Sequence, residues 1–176
     1  MGKEDKLRRG VVFLFTALVV AVPLLCWPYT GPLQRLVTLQ GAALLRFFGL
    51  PATSRGLSIF LPEFELVITR ECTAIEALAV FTGVILATPA RWSKKLPVLL
   101  LVFFLLYIGN LFRLVVVGWL AYSGVTTLEF AHGVVGYLLS LGGVLLFSYT
   151  TFRLLPESLD SLHNLVDIAL SRISKR

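Results

Sequence analysis

Four long apolar stretches, set off by short clusters of arginine and lysine, constrain this chain more than any other feature. They run from Gly10 to about Trp27, Thr73 to about Thr88, Pro97 to about Tyr122 and Ala131 to about Phe152. Their lengths fall in or near the ~17–25 residues that cross ~30 Å of hydrocarbon as a helix. Of the 176 residues, 57% are hydrophobic and 15% charged, against roughly 25% charged in soluble domains. A soluble fold of this size could not cover so much apolar surface, so lipid must be the solvent for most of the chain. The first stretch has the basic start of a signal peptide, but its apolar run is longer, and no small-x-small cleavage site precedes Trp27-Pro28-Tyr29. It reads as a retained helix.

The basic clusters orient these segments. Lys3, Lys6, Arg8 and Arg9 precede the first; Arg91, Lys94 and Lys95 lie between the second and third; Arg153, Arg172, Lys175 and Arg176 follow the fourth. The connection from Ser123 to Phe130 carries no basic residue. Positive charge stays on the cytoplasmic side, so both termini and the 91–95 loop are expected in the cytoplasm, with four crossings of the plasma (inner) membrane between them. The long connection 28–71 is discordant, carrying Arg35, Arg46, Arg55 and Arg70. The net charge is +6, and its basic residues border apolar runs, where they meet lipid headgroups. No stripe of basic and aromatic residues offers a nucleic-acid face, so membrane lipid is the expected partner and nucleic acid is not.

The long connection has structure of its own. From Leu33 to Leu50, Leu36, Val37, Leu39, Ala43, Leu44, Phe47 and Phe48 recur at helical spacing among Gln34, Arg35, Gln40 and Arg46, which predicts an amphipathic helix lying in the outer interface. From Ser58 to Thr69 the period changes to short extended runs broken at Pro62-Glu63, which predicts a small β-hairpin delivering the chain to Cys72. After Pro156, Leu159, Leu162, Val166, Ala169 and Ile173 form another helical stripe. The expected fold is therefore an all-α polytopic membrane protein with about four transmembrane helices, an outer interfacial helix and a small extracytoplasmic β-hairpin. Residues 1–155 read as one membrane-embedded domain and 156–176 as a cytoplasmic amphipathic tail.

Three residues with chemistry fall near the outer ends of different segments: Cys72, Arg113 and His132. Arg113 lies sixteen residues beyond Pro97, or about 24 Å at ~1.5 Å per residue. His132 opens the fourth segment from outside, and Cys72 opens the second. Asn110 stands one turn from Arg113 on its face, and Glu76 one turn after Cys72. Each has a plain structural reading: cysteines are often simply buried, an arginine can reach for headgroups, and a histidine can satisfy a helix start. An ionisable residue inside a span usually faces a protein interior or cavity, and a shared depth from three segments favours one site. Two cysteines and two histidines, with His163 in the tail, give no zinc spacing. No phosphate loop or dinucleotide fingerprint is present, so neither metal nor cofactor is expected. Cys26, at the outer end of the first segment, could pair with Cys72 or lie buried among apolar neighbours; burial is the expected state.

The run Glu71-Cys72-Thr73-Ala74-Ile75-Glu76-Ala77, the element Asn110-Leu111-Phe112-Arg113 and His132 at the start of the last span resemble the exosortase/archaeosortase family. The resemblance covers roughly residues 30–153 and is closest to its compact, exosortase H-like branch. It implies a membrane-embedded cysteine protease or transpeptidase that cleaves C-terminal sorting signals of secreted proteins at the outer membrane interface. Such substrates end in a motif, one transmembrane helix and a basic tail. The resemblance further implies Cys72 as nucleophile, His132 as proton donor and acceptor, and Arg113 as oxyanion or substrate ligand, the active site facing the extracytoplasmic side. Asn110 would support Arg113, and Glu76 either Arg113 or His132. The family often has glycine two residues after the nucleophile, where this chain has Ala74. The contrasting reading is a non-enzymatic membrane assembly or transport subunit in which Arg113, Glu76 and Asn110 form a buried polar cluster.

Overall fold

The computed structural model describes residues 3–173. Lys175 and Arg176, counted above toward cytoplasmic charge, lie outside the described residues, as do the side chains of Lys3, Lys6, Asp167, Ala169, Arg172 and Ile173. The chain is mostly helical with one small sheet. Among the described residues three helices are long and apolar enough to cross a membrane, Leu7–Leu25, Trp92–Tyr122 and Leu128–Leu154. The second expected segment forms a helix of only 13 residues, α3 (Ile75–Ala87), which rises about 20 Å at ~1.5 Å per residue. That is short of the ~30 Å hydrocarbon core. The segment lost length at its start, where Cys72 and Thr73 belong to a separate 3-10 turn.

The chain divides into two compact units. The first comprises residues 1–26, 76–103 and 147–176. Here α1 (Lys3–Leu25) packs against α7 (Pro156–Ile173) and approaches α3 so closely that a Cβ on Gly83 would come within 2.5 Å of the Ala17 carbonyl oxygen. Small residues permit such backbone contact between membrane helices. Lys95, in the first turns of α4 (Trp92–Tyr122), donates to the Leu86 carbonyl at 2.7 Å and lies over the Trp92 ring. Lys94 pairs with Glu157 at 3.0 Å.

The second unit comprises residues 27–75 and 104–146. Its α2 (Gly31–Phe47) begins at Gly31-Pro32, where proline costs no helix hydrogen bond. Strands β1 (Thr53–Arg55), β2 (Ser58–Phe60) and β3 (Glu65–Val67) follow as an antiparallel sheet in sequence order, Ser54 facing Ile59 and Ile59 facing Leu66. The expected hairpin is thus present, with β1 added through a tight turn at Gly56, whose φ of +63° suits glycine. Ile59 is fully buried in a cluster with Val37, Leu45, Leu111 and Leu114. Gly41 lets α2 approach α4: a Cβ there would lie 2.9 Å from Leu114 Cδ2.

The helix α2 carries apolar residues on both its covered and its uncovered sides. Val37, Thr38, Gly41, Ala42 and Leu45 are buried, whereas Leu36, Leu39, Phe47 and Phe48 are exposed. Gln34 donates to the Ile68 carbonyl and Gln40 accepts from the Tyr107 hydroxyl. The exposed leucines and phenylalanines form a second apolar stripe, suited to hydrocarbon surroundings, while the two glutamines find partners within the protein. Two of the discordant arginines also serve the backbone: Arg46 donates to the Ala52 carbonyl and Arg70 to that of Trp27.

Candidate functional site

The sheet delivers the chain to a 3-10 turn, Arg70–Thr73, and then to Ala74, the start of α3 following at Ile75. Ala74 has φ 56° and ψ 17°, the left-handed region that alanine enters at a cost of roughly 1–2 kcal/mol. Among the described residues it is the one non-glycine residue with positive φ. The left-handed residue stops the turn from running on as α-helix.

Cys72 sits in this turn, 7% exposed, and belongs to the apolar cluster with Leu111, Leu114 and Val115. Its backbone N–H donates to the Thr69 carbonyl at 3.1 Å. Its Sγ lies 3.5 Å from Thr69 Oγ1. Its carbonyl accepts from the Nδ2 amide of Asn110 on α4. Thr73 Oγ1 donates to the Arg70 carbonyl at 2.6 Å. Both backbone polar groups of Cys72 are therefore pinned.

Asn110 was expected beside Arg113, and its bond is instead to the turn that carries Cys72. Arg113 is half-buried one turn further along α4 and donates from Nη1 to Ser140 Oγ at 2.8 Å. Ser140 in turn donates to the Gly136 carbonyl on its own helix at 2.8 Å. Ser140 was not legible beforehand; the available signal was a hydroxyl inside an apolar span, which a buried guanidinium needs.

His132 is exposed in a π-helical turn, Ala131–Val135, lying between the short α5 (Leu128–Phe130) and α6 (Gly136–Leu154). Single π turns are rare and recur at functional sites. The register between α4 and α6 follows from Arg113 against Ser140, Gly136 against Val117, and Ala131 clustered with Val117 and Ala121. His132 therefore lies eight residues from Ser140, about 12 Å along the helix at ~1.5 Å per residue. Arg113 and His132, expected at one depth, are offset by two turns in the packed helices. The shift arises because α4 runs on for nine residues beyond Arg113, to Tyr122, whereas His132 lies only four residues after Leu128, where the returning helix starts. Among the described residues no hydrogen bond links Cys72, Arg113 and His132 to one another. What the unit does join are the elements bearing them: the turn to α4 through Asn110, and α4 to α6 through Arg113.

Glu76 is exposed in the first turn of α3, in the other unit. Both cysteines are free thiols, and Cys26 is exposed, not buried, because α1 ends at Leu25 and leaves it in the following turn. Among the described residues no group of three or more His, Cys, Asp or Glu side chains could hold a metal ion. An apolar groove of about 450 Å³ is lined by Leu44, Phe48, Ile108, Phe112 and Trp119. By helical spacing it occupies the α4 face turned away from Asn110 and Arg113.

Compared with known proteins, the chain matches the family model described as transmembrane exosortase over residues 5–149. No curated protein and no solved structure matches it.

Proposed function

Because the chain belongs to the transmembrane exosortase family, we propose that it is a membrane-embedded cysteine peptidase or transpeptidase acting on C-terminal sorting signals of secreted proteins. The observation that carries this reading is the pair of hydrogen bonds, Asn110 to the Cys72 carbonyl and Arg113 to Ser140. They tie the three elements bearing Cys72, Arg113 and His132 into one unit.

In the proposed reaction the Cys72 thiolate attacks a peptide carbonyl carbon of the substrate, forming a C–S bond. Arg113 supplies positive charge where the carbonyl oxygen becomes an oxyanion. The C–N bond then breaks, and His132 gives its proton to the departing amine, leaving a thioester on Cys72. An incoming amine or water, deprotonated by His132, attacks the thioester and expels the thiolate. The first acceptor completes transpeptidation and the second hydrolysis. His132 must come within hydrogen-bond reach of the leaving nitrogen, which requires the π-helical turn that carries it to move toward Arg113 when substrate binds. Ser140 orients the Arg113 guanidinium by occupying one of its donors.

The substrate's apolar span would lie in the same bilayer, bringing its cleavage point to the outer interface. Both termini of the enzyme are cytoplasmic in this reading, following the basic residues at 3–9, 91–95 and 153–176, with α3 and the turn before it together making the fourth crossing. Glu76 is assigned a supporting role near the start of α3, where a carboxylate is favoured by the helix dipole.

A rival reading draws on the burial of Cys72 in an apolar cluster, which suits a structural cysteine in a non-enzymatic membrane subunit. One experiment separates the two. A host strain lacking the gene is complemented with wild type or Cys72→Ala at matched membrane levels. Secreted proteins are then read by mass spectrometry for loss of their C-terminal apolar span. Restoration by wild type alone supports the peptidase; equal behaviour of both supports the structural subunit.

A further inference from the structure

The turn that carries Cys72 competes with a simpler conformation. Were Ala74 right-handed, the chain from Arg70 could run straight into α3 as one helix, with no left-handed cost to bear. In that helix the Cys72 carbonyl would accept from the N–H four residues on, and the Arg70 carbonyl from that of Ala74. Neither bond exists here. Two side chains take their places: Asn110 Nδ2 donates to the Cys72 carbonyl and Thr73 Oγ1 to the Arg70 carbonyl. Thr73 belongs to the turn itself and moves with it. Asn110 does not; it is anchored on α4, 7% exposed, and that amide bond is its side chain's one hydrogen bond among the described residues. A buried carbonyl left without a donor is costly, so the Asn110 amide favours the left-handed turn over the straight helix.

We infer that Asn110 is a positioning residue: its amide holds the Cys72 carbonyl and keeps the chain at Ala74 in its left-handed turn, fixing where the Cys72 thiol is presented. The inference rests on Cys72 being the nucleophile of the proposed reaction. In a straight helix each residue is turned by about 100° from the last, so loss of the turn re-aims the thiol relative to Arg113. Misplacement of a reacting atom by about an ångström costs on the order of 10²-fold in rate.

The distinguishing property of this role is that it is rescued from Ala74. Glycine takes positive φ without penalty and weakens a helix interior. Ala74→Gly therefore favours the turn by itself and relieves it of dependence on Asn110. A side chain that merely fills space on α4 has no such connection with residue 74.

The test uses the full-length protein in host membranes, in a Cys26→Ser background, at matched levels. Removal of C-terminal spans from secreted proteins is followed by pulse-chase and mass spectrometry, and Cys72 alkylation by iodoacetamide is followed in the same membranes. Asn110→Leu, close in shape but without a donor, is expected to slow span removal on the order of 10²-fold and to change the alkylation rate. Adding Ala74→Gly is expected to recover roughly tenfold, the scale of the left-handed penalty for alanine. Ala74→Gly alone is expected to keep wild-type turnover. Should Asn110→Leu fail to accumulate, Asn110→Ser, too short to reach the carbonyl, carries the same expectations. Wild-type turnover and alkylation in the Asn110 variants, or a defect that Ala74→Gly leaves unchanged, overturns the positioning role while leaving the peptidase reading in place. If Cys72→Ala releases spans as well as wild type does, the nucleophile assignment falls, and the positioning role falls with it.

Discussion

In the unit built from α1, α3 and α7, regular helices lie against one another. Thr88, Thr151, Ser158 and Ser161 each donate to a carbonyl three or four residues back, while Lys94, to Glu157, and Lys95, to the Leu86 carbonyl, reach further. In the unit that holds Cys72, the backbone is irregular: a three-stranded sheet, a 3-10 turn, a left-handed alanine and a π turn. There polar side chains reach carbonyls far away in the sequence, Asn110 that of Cys72, Gln34 that of Ile68 and Arg70 that of Trp27. A helix satisfies its own backbone, so a helical unit in lipid needs few such bonds. Irregular chain at membrane depth persists only where the protein supplies its missing partners. The difference indicates where this molecule spends stability on geometry: at the turn carrying Cys72.

If that contrast is functional, substitutions in the two units should separate activity from stability. The largest effect is expected for Cys72→Ala, a loss of span removal on the order of 10³-fold or more with the protein still present in the membrane. Arg113→Ala should follow, with a loss of about 10²–10³-fold, the usual scale for an oxyanion ligand. Ser140→Ala, which frees the guanidinium but keeps its charge, should cost less than Arg113→Ala in the same assay; an equal cost would contradict the orienting role. Ile59→Ala, which removes a fully buried side chain beneath the sheet, should lower thermal stability in detergent by about 2–5 kcal/mol. Gly83→Ala places a methyl where a backbone oxygen lies 2.5 Å away and should destabilise by about 1–3 kcal/mol. Its turnover per folded molecule should stay close to wild type; a selective loss of turnover would erase the distinction between the units.

The smallest effect concerns Glu157. Its carboxyl is held below the ordinary value of 4.5 by its own backbone N–H, then by the Lys94 ammonium. A lowered carboxylate pKa contributes stability above the unfolded value and loses it as pH falls through the folded value. The melting temperatures of wild type and Glu157→Gln should therefore differ slightly at neutral pH and converge below 4.5. Addition of salt should shrink the difference, since this pair is partly solvent-exposed.

What could be read beforehand follows from locality. The alternation around Ile59 and Leu66 announced the hairpin, and the spacing from Leu33 onward announced α2, because both signals lie within one element. The orientation of α2 was not legible: a stripe such as Leu36, Leu39 and Phe47 marks an apolar face but not whether protein or lipid covers it. The residue types at the candidate site were legible; their pairing was not. Asn110 and Arg113 are neighbours on one helix, which suggested that they serve each other, yet their hydrogen bonds go to Cys72 and Ser140, separated from them in sequence by 38 and 27 residues. The offset of His132 from Arg113 comes from the nine residues by which α4 continues past Arg113, and the pairing of two helices is not marked in either one's sequence. The left-handed alanine is invisible in the sequence because alanine ordinarily favours helix.

The central claim is that Cys72 carries a thioester during turnover, and hydroxylamine tests it directly. As a strong amine nucleophile it should intercept the acyl group of an acyl-enzyme. Membranes containing wild type are treated with hydroxylamine during processing, and released proteins are examined by mass spectrometry at their new C-termini. The expected result is a C-terminal hydroxamate, dependent on Cys72 and absent from Cys72→Ala membranes. Released proteins carrying only ordinary C-termini under the same treatment, or hydroxamates formed equally without Cys72, would contradict the account.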